Sequence, residues 1–384
     1  MTNAHIAPRL DACKTRVAET VAERLPDLVQ VSESLHQYPE TAWQEVRSAR
    51  LLSNHLRARG FTVRNEFVGL PTSFHAVFGT GSTRVGLMAE YDALPNIGHA
   101  CGHNLIAATS IGAAEALSEL ADDLDLTVEV FGTPAEEGGG GKIEMLDRGA
   151  FEGLDLALMA HPAPVDVARA RPFAVAHLAV EFQGKAAHAA SFPTEGRNAA
   201  DAFVIAQVAI GLLRQQLPST VRVHGIVTSG GEAPNAIPEV TRGRWYVRAS
   251  SLSELDVVQK RVVACFQAGA DAAACSLEIT PESQPYSEFH TDERLLELYE
   301  ANARTLGRDL RTSGPETGMC QASTDMGNVS RHVRAIHPYI GVGSYPVLNH
   351  QREFADFCVG ETAERALSDG ATALAWTVID DVLT

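Results

Sequence analysis

The chain has 384 residues, 45% of them hydrophobic, and a net charge of −17 with histidines neutral. That length predicts two domains rather than one. The acidic balance excludes nucleic acid and anionic membranes as main partners, and no apolar run is long enough to span a bilayer. The first 20 residues lack the apolar core of a signal peptide. The cysteines, Cys13, Cys101, Cys265, Cys275, Cys320 and Cys358, are too scattered for a disulfide framework, and a reducing cytoplasm is the expected compartment.

In chain order, residues 11–35 read as a helix, with Leu25, Leu28, Val31 and Leu35 at helical spacing. Residues 41–59 read as another, closed by Gly60. Strands are expected at 61–68, 73–78 and 85–89, a helix at 105–120, and short buried strands at 126–132 and 154–160. This alternation predicts an α/β domain with a mostly parallel sheet. The middle changes character: strand 173–182, helix 198–216, strands 221–227 and 240–249, helix 254–268 and strand 276–281. That β-α-β-β-α-β order is the ferredoxin-like signature. Helices return at 292–306 and 361–383. The expected organisation is a discontinuous α/β domain, 1–172 with 289–384, interrupted by an inserted α+β domain at 173–288.

The residues with metal-binding chemistry fall at strand ends and in loops, where open α/β sheets place their sites. The segment GHACGHN puts Cys101 and His103 two positions apart among glycines, after an apolar run and Glu90-Tyr91-Asp92. Glu136-Glu137 lies between a buried strand and four glycines; His161 follows another strand; His350 follows a glycine-rich turn. Each residue alone has a plain structural explanation, but together they supply thiolate, imidazole and carboxylate donors for metal-assisted hydrolysis. Of two adjacent glutamates, one can ligate while the other takes a proton from the attacking water.

The segments LHQYPE, AEYDALP, GHACGHNL, PAEEGGGG, His161-Pro162, GKAAHAASFPTEGRNAADA, GGEAPNAIPE and STDMGN resemble the co-catalytic metallopeptidase family that contains aminoacylase, glutamate carboxypeptidase and hippurate hydrolase. The run EYDALPNIGHACGHNL is most similar to the branch of β-alanyl-lysine dipeptidase and the aminobenzoyl-glutamate hydrolase subunit. The resemblance implies two divalent ions per subunit, zinc or manganese, with cobalt also admissible. By position it makes Cys101 the bridging ligand, His103, Glu137, His161 and His350 the other ligands, and Glu136 the general base assisting a metal-bound water. The inserted domain becomes a dimerisation lid, with His188 stabilising the oxyanion in the partner's site and Asn235 and Arg248 binding substrate. Where the carboxypeptidase branch has His-x-Asp, this chain has Glu90-Tyr91-Asp92, which makes Asp92 a residue that orients His103.

The expected activity is hydrolysis of an N-acyl amino acid or small dipeptide by a homodimer. The alternatives are a Cys101 nucleophile paired with His103 and an inactive metal-holding scaffold. Cys320 and His337 carry no assigned role, and His36 reads as structural.

Overall fold

The computed structural model describes residues 3–384. The chain divides into two compact units, Met1–Arg171 with Phe289–Thr384, and Pro172–Glu288.

The larger unit opens with α1 (Asn3–Gln37) and α2 (Val46–Ala58), then β1 (Thr62–Asn65), β2 (Phe74–Phe78) and β3 (Thr83–Glu90). It continues with α3 (His103–Ser118), the short α4 (Ala121–Leu124), β4 (Leu126–Thr133), α5 (Gly141–Asp147), β5 (Leu156–Leu158) and β6 (His161–Ala163). The smaller unit consists of β7 (Ala174–Gln183), α6 (Ala199–Leu213), β8 (Arg222–Ser229), β9 (Val240–Ala249), α7 (Leu252–Ala273) and β10 (Ser276–Pro281). The chain then returns to the larger unit through α8 (Glu293–Thr305), α9 (Met326–Ser330), β11 (Arg334–Ile336), β12 (Tyr339–Gly341) and α10 (Glu361–Leu383).

The sheet of the larger unit has the order β1-β2-β4-β3-β5-β11. It is mixed, which corrects the expectation of a mostly parallel sheet. β4, β3, β5 and β11 run parallel, but β1 pairs antiparallel with β2, and β2 antiparallel with β4. The reason is connection length: residues 66–73 between β1 and β2 are too few for a crossover, so the chain must turn back on itself. β6 and β12 form a separate parallel pair that aligns His161 with Tyr339.

The helical expectation at 41–59 is too long, because residues 41–45 form an irregular segment in which Trp43 has φ 64°. α3 is buried along almost its whole length. Its alanines, with Gly112, let it sit against both α1 and α10: a Cβ on Gly112 would lie 2.8 Å from Leu28 Cδ1 and 3.2 Å from Ala371 Cβ. That packing fixes the N-terminal end of α3, where His103 stands.

In the smaller unit the sheet is antiparallel throughout, in the order β10-β7-β9-β8. Phe182, Phe203, Trp245 and Phe266 fill its core between sheet and helices. β8 is an edge strand. All six cysteines are unpaired, and among the described residues no helix is long and apolar enough to cross a membrane.

Candidate metal centre

β3 ends at Glu90; the loop beyond it carries Asp92 and Cys101 and leads into α3, whose first residue is His103. Gly102 between the two donors has φ 86°, and a Cβ there would lie 2.8 Å from Pro162 Cβ and 3.2 Å from Cys358 Sγ. Glycine therefore allows both the left-handed turn and the close approach to the strand bearing His161. Cys101 Sγ lies 3.5 Å from His161 Nε2. His161 Nδ1 is 2.8 Å from the Pro162 carbonyl, so Nδ1–H donates there and Nε2 faces the thiol with its lone pair.

Beyond β4, Glu136 and Glu137 enter the same cluster. His103 Nε2 is fully buried and has no hydrogen-bond partner. Three carboxylate oxygens surround it just beyond hydrogen-bond range: Glu90 Oε2 at 3.7 Å, Glu136 Oε2 at 3.8 Å and Glu137 Oε1 at 3.7 Å. The other ring nitrogen, Nδ1, sits 3.1 Å from Asp92 Oδ1. Asp92 also accepts the Glu137 N–H through Oδ2 at 3.0 Å. A carboxylate behind a histidine whose far nitrogen faces other donors is the arrangement that orients a metal ligand.

His350 arrives from a distant segment. Its N–H donates to the Ala100 carbonyl at 2.8 Å, and its Nε2 lies 3.3 Å from Glu137 Oε1. Asn349 fastens this loop to the others by donating to the carbonyls of Pro162 at 3.0 Å and Cys101 at 3.4 Å. Two triads of donor atoms result, each within 4.8 Å: Cys101, His103, His161 and Cys101, Glu137, His350. A third triad joins Glu90, His103 and Glu136. The orphaned imidazole nitrogen, the buried thiol and the mixed N, S and O donors fit divalent cations.

The electrostatics agree with that fit. Glu90, Glu136 and Asp325 crowd negative charge around the buried Lys142 ammonium, while Asp92 and Glu137 face the His103 ring. Burial and the charges of Glu90 and Glu137 hold the Glu136 carboxyl well above the usual carboxylate range. Glu137 goes the other way: burial opposes its ionisation, but the His350 and His103 rings lower it to about 2. Burial, reinforced by Glu137 and Glu136, pushes the Cys101 thiol up. A bound dication would reverse that direction, since a coordinating thiol deprotonates.

The structure thus brings together Cys101, His103, Glu136, Glu137, His161, His350 and Asp92. His188, Asn235 and Arg248 belong to the smaller unit. His188 is exposed, its Nδ1 accepts from Ala190 and Ser191 N–H, and the neighbouring Ala189 N–H donates to the Asn235 carbonyl. Arg248, on β9, donates from Nε to His224 Nε2 at 3.2 Å.

Four buried residues at or beside the centre escaped the sequence assignment. Glu90 is clamped by Lys142, whose Nζ donates to Glu90 Oε1 at 2.5 Å and to Asp325 Oδ1 at 2.7 Å. His337 stacks 5.7 Å from the His161 ring. Glu90 and Asp325 lie inside segments already singled out, AEYDALP and STDMGN, but nothing local signals their shared lysine. Cys320 is a core thiol packed with Ala163, Val167 and Tyr339.

Comparison with known proteins gives the family of the chain. The model of peptidase family M20/M25/M40 matches residues 86–378. The chain is 38% identical to the Xaa-Arg dipeptidase of Mus musculus, over 97% of this chain and 90% of that protein. It is 32% identical to a p-aminobenzoyl-glutamate hydrolase subunit of Escherichia coli, over 66% of this chain and 56% of that one. In fold it resembles a dinuclear metal-binding peptidase of the M20 family from Bacillus subtilis, with a TM-score of 0.65 and 19% identity over 94% of this chain and 99% of that one. A family match across most of the chain, joined to this donor set, makes the protein a metal-dependent amidohydrolase of the peptidase class that belongs to peptidase family M20/M25/M40.

Proposed function

We propose that the chain cleaves the amide bond of a small dipeptide or N-acyl amino acid at a two-ion centre, with Glu136 as general base. The observation that carries this is the buried Glu136 carboxylate, 3.8 Å from His103 Nε2 inside a cluster whose two donor triads share Cys101. Cys101 is proposed as the bridging ligand, with His103 and His161 serving one ion and Glu137 and His350 the other. Bound there, the ions would polarise the amide carbonyl and make a water acidic enough to attack near neutral pH. Glu136 then takes the proton from the attacking water and returns it to the leaving amine. Asp92 keeps the His103 ring in place through Nδ1. Thiolate and imidazole donors favour zinc, while the carboxylates admit manganese or cobalt.

The name of the murine relative directs the substrate proposal to dipeptides ending in a basic residue. The net charge of −17 agrees with it, as do Glu232 and Glu239 flanking Asn235. Metal-stripped protein should be inert, and zinc, manganese or cobalt should restore hydrolysis on a panel of arginyl, lysyl and ornithyl dipeptides, N-acetyl and N-benzoyl amino acids, and aminobenzoyl-glutamate. The basic dipeptides should be the best substrates. Turnover unaffected by chelation but abolished by a thiol alkylator would instead make Cys101 a nucleophile.

The smaller unit is proposed as a lid and dimerisation domain, with His188 donating to the oxyanion in the partner's site and Asn235 and Arg248 holding substrate, the latter through its bidentate fork. Two features support a homodimer. β8 is an edge strand with Ile226 exposed, and α6 exposes Val204, Val208 and Leu212 at four-residue spacing. Light scattering should give twice the chain mass for the parent and a monomer for the Val208→Lys/Ile226→Lys double variant. A monomeric parent would overturn the assignment.

A further inference from the structure

Glu136 sits in a loop whose backbone is gripped on both sides. The preceding residue, Ala135, is fully buried and left-handed, with φ 57°. That conformation is sterically disfavoured for a residue carrying a Cβ, so something must hold it. The Ala135 N–H donates to Glu45 Oε1 at 2.9 Å, and its carbonyl accepts from the N–H groups of Gly139 and Gly140 at 3.0 and 2.9 Å. On the other side, the Glu137 N–H is held by Asp92 Oδ2 at 3.0 Å. Two buried carboxylates therefore bracket Glu136.

Glu45 closes the irregular segment 41–45. Trp43, also left-handed, lays its indole against the glycine run: a Cβ on Gly139 would fall 2.3 Å from Trp43 Nε1. The Glu40 carbonyl accepts the Ala93 N–H at 2.8 Å, which ties this segment to the strand end bearing Asp92. Glu45 itself is 0% exposed. An apolar side chain would fill that space without the cost of burying a carboxyl group, and neither donor triad containing Cys101 uses Glu45.

We propose that Glu45 is a positioning residue for the general base: by accepting the Ala135 N–H it locks the left-handed turn that aims Glu136 into the centre. This rests on the assignment of Glu136 as base. Burial and the Asp92 charge push the Glu45 carboxyl up to about 7; an amide of the same shape keeps the oxygen that accepts the Ala135 N–H, and that acceptor is the feature that matters.

The test uses the full chain, with kcat, KM, bound metal and melting temperature measured together. Glu45→Gln keeps the acceptor and should stay near the parent in all four. Glu45→Leu fills the volume without the acceptor; its kcat should fall by about 10–100-fold, with KM, metal content and melting temperature close to the parent's. Ala135→Gly makes the turn unstrained, and placed in the Glu45→Leu background it should recover much of the lost kcat. A Glu45→Leu protein with parental kcat overturns the proposal, as does a loss that tracks lost metal or unfolding and that Ala135→Gly leaves unchanged. Glu136→Gln measured alongside separates the two assignments. If it is inert while Glu45→Leu is normal, only the positioning role fails; if it is fully active, the base role fails and this proposal goes with it.

Discussion

Glu136→Gln is expected to bind metal like the parent and to lose about 10²–10⁴-fold in kcat. The substitution keeps the shape of the side chain and one oxygen but cannot take up or return a proton. The environment suits a group that does both. Burial and the charges of Glu90 and Glu137 raise the Glu136 carboxyl well above its ordinary value, and the charge of bound dications would act in the opposite direction, toward the ionised form a base needs. Metal content is the discriminating readout, because Glu136 also falls in a donor triad with Glu90 and His103. Metal lost together with activity would place Glu136 among the ligands. Parental activity would remove it from the mechanism.

Lys142→Met is expected to destabilise the fold by about 3–5 kcal/mol, the usual cost of removing one partner from a buried ion cluster. Lys142 is 0% exposed. Its Nζ bridges Glu90 and Asp325, and its backbone N–H reaches Asp325 Oδ2 at 2.9 Å. Burial works against the ionised form of Glu90, yet Lys142, followed by His103, His161 and His337, holds it down at about 2. Methionine fills the volume but leaves two carboxylates buried beside Glu136 with no cation. Urea unfolding would measure the loss, and adding Asp325→Asn should restore part of it. A Lys142→Met protein as stable as the parent would show that a proton or a metal ion, and not the ammonium, neutralises the pair.

The donors of the centre were legible in the sequence because each occupies a short, distinctive segment at a strand end: GHACGHN, the paired glutamates before four glycines, and His161 after an apolar run. Most helices and strands were legible from periodicity, and α10 matches its expected span of 361–383. The groups that hold the donors in place were not. Lys142 meets Asp325 across 183 positions, Ala135 meets Glu45 across 90, and Asn349 meets Pro162 across 187. Nothing periodic or local encodes such pairings. The antiparallel β1–β2 pair was missed although the short connection between the two strands requires it, because the residue character of β1 and β2 is the same whichever direction they pair. Residues 41–45 misled because their composition suits a helix, while Trp43 and the Glu45 contact to Ala135 demand a turn.

The smaller unit, Pro172–Glu288, interrupts the larger one in sequence, and this sets the order in which the centre can be built during synthesis. The stretch up to Arg171 already contains Cys101, His103, Glu136, Glu137, His161 and Lys142. Asp325 and His350 emerge only after the whole intervening unit has been made. Until then Lys142 lacks one of its two carboxylates, and the Cys101–Glu137–His350 triad has two members. Four of the five carboxylates around Lys142 and His103, namely Glu90, Asp92, Glu136 and Glu137, are thus made early along with Lys142, and the late segment adds Asp325 and the imidazole of His350 that complete the contacts around them.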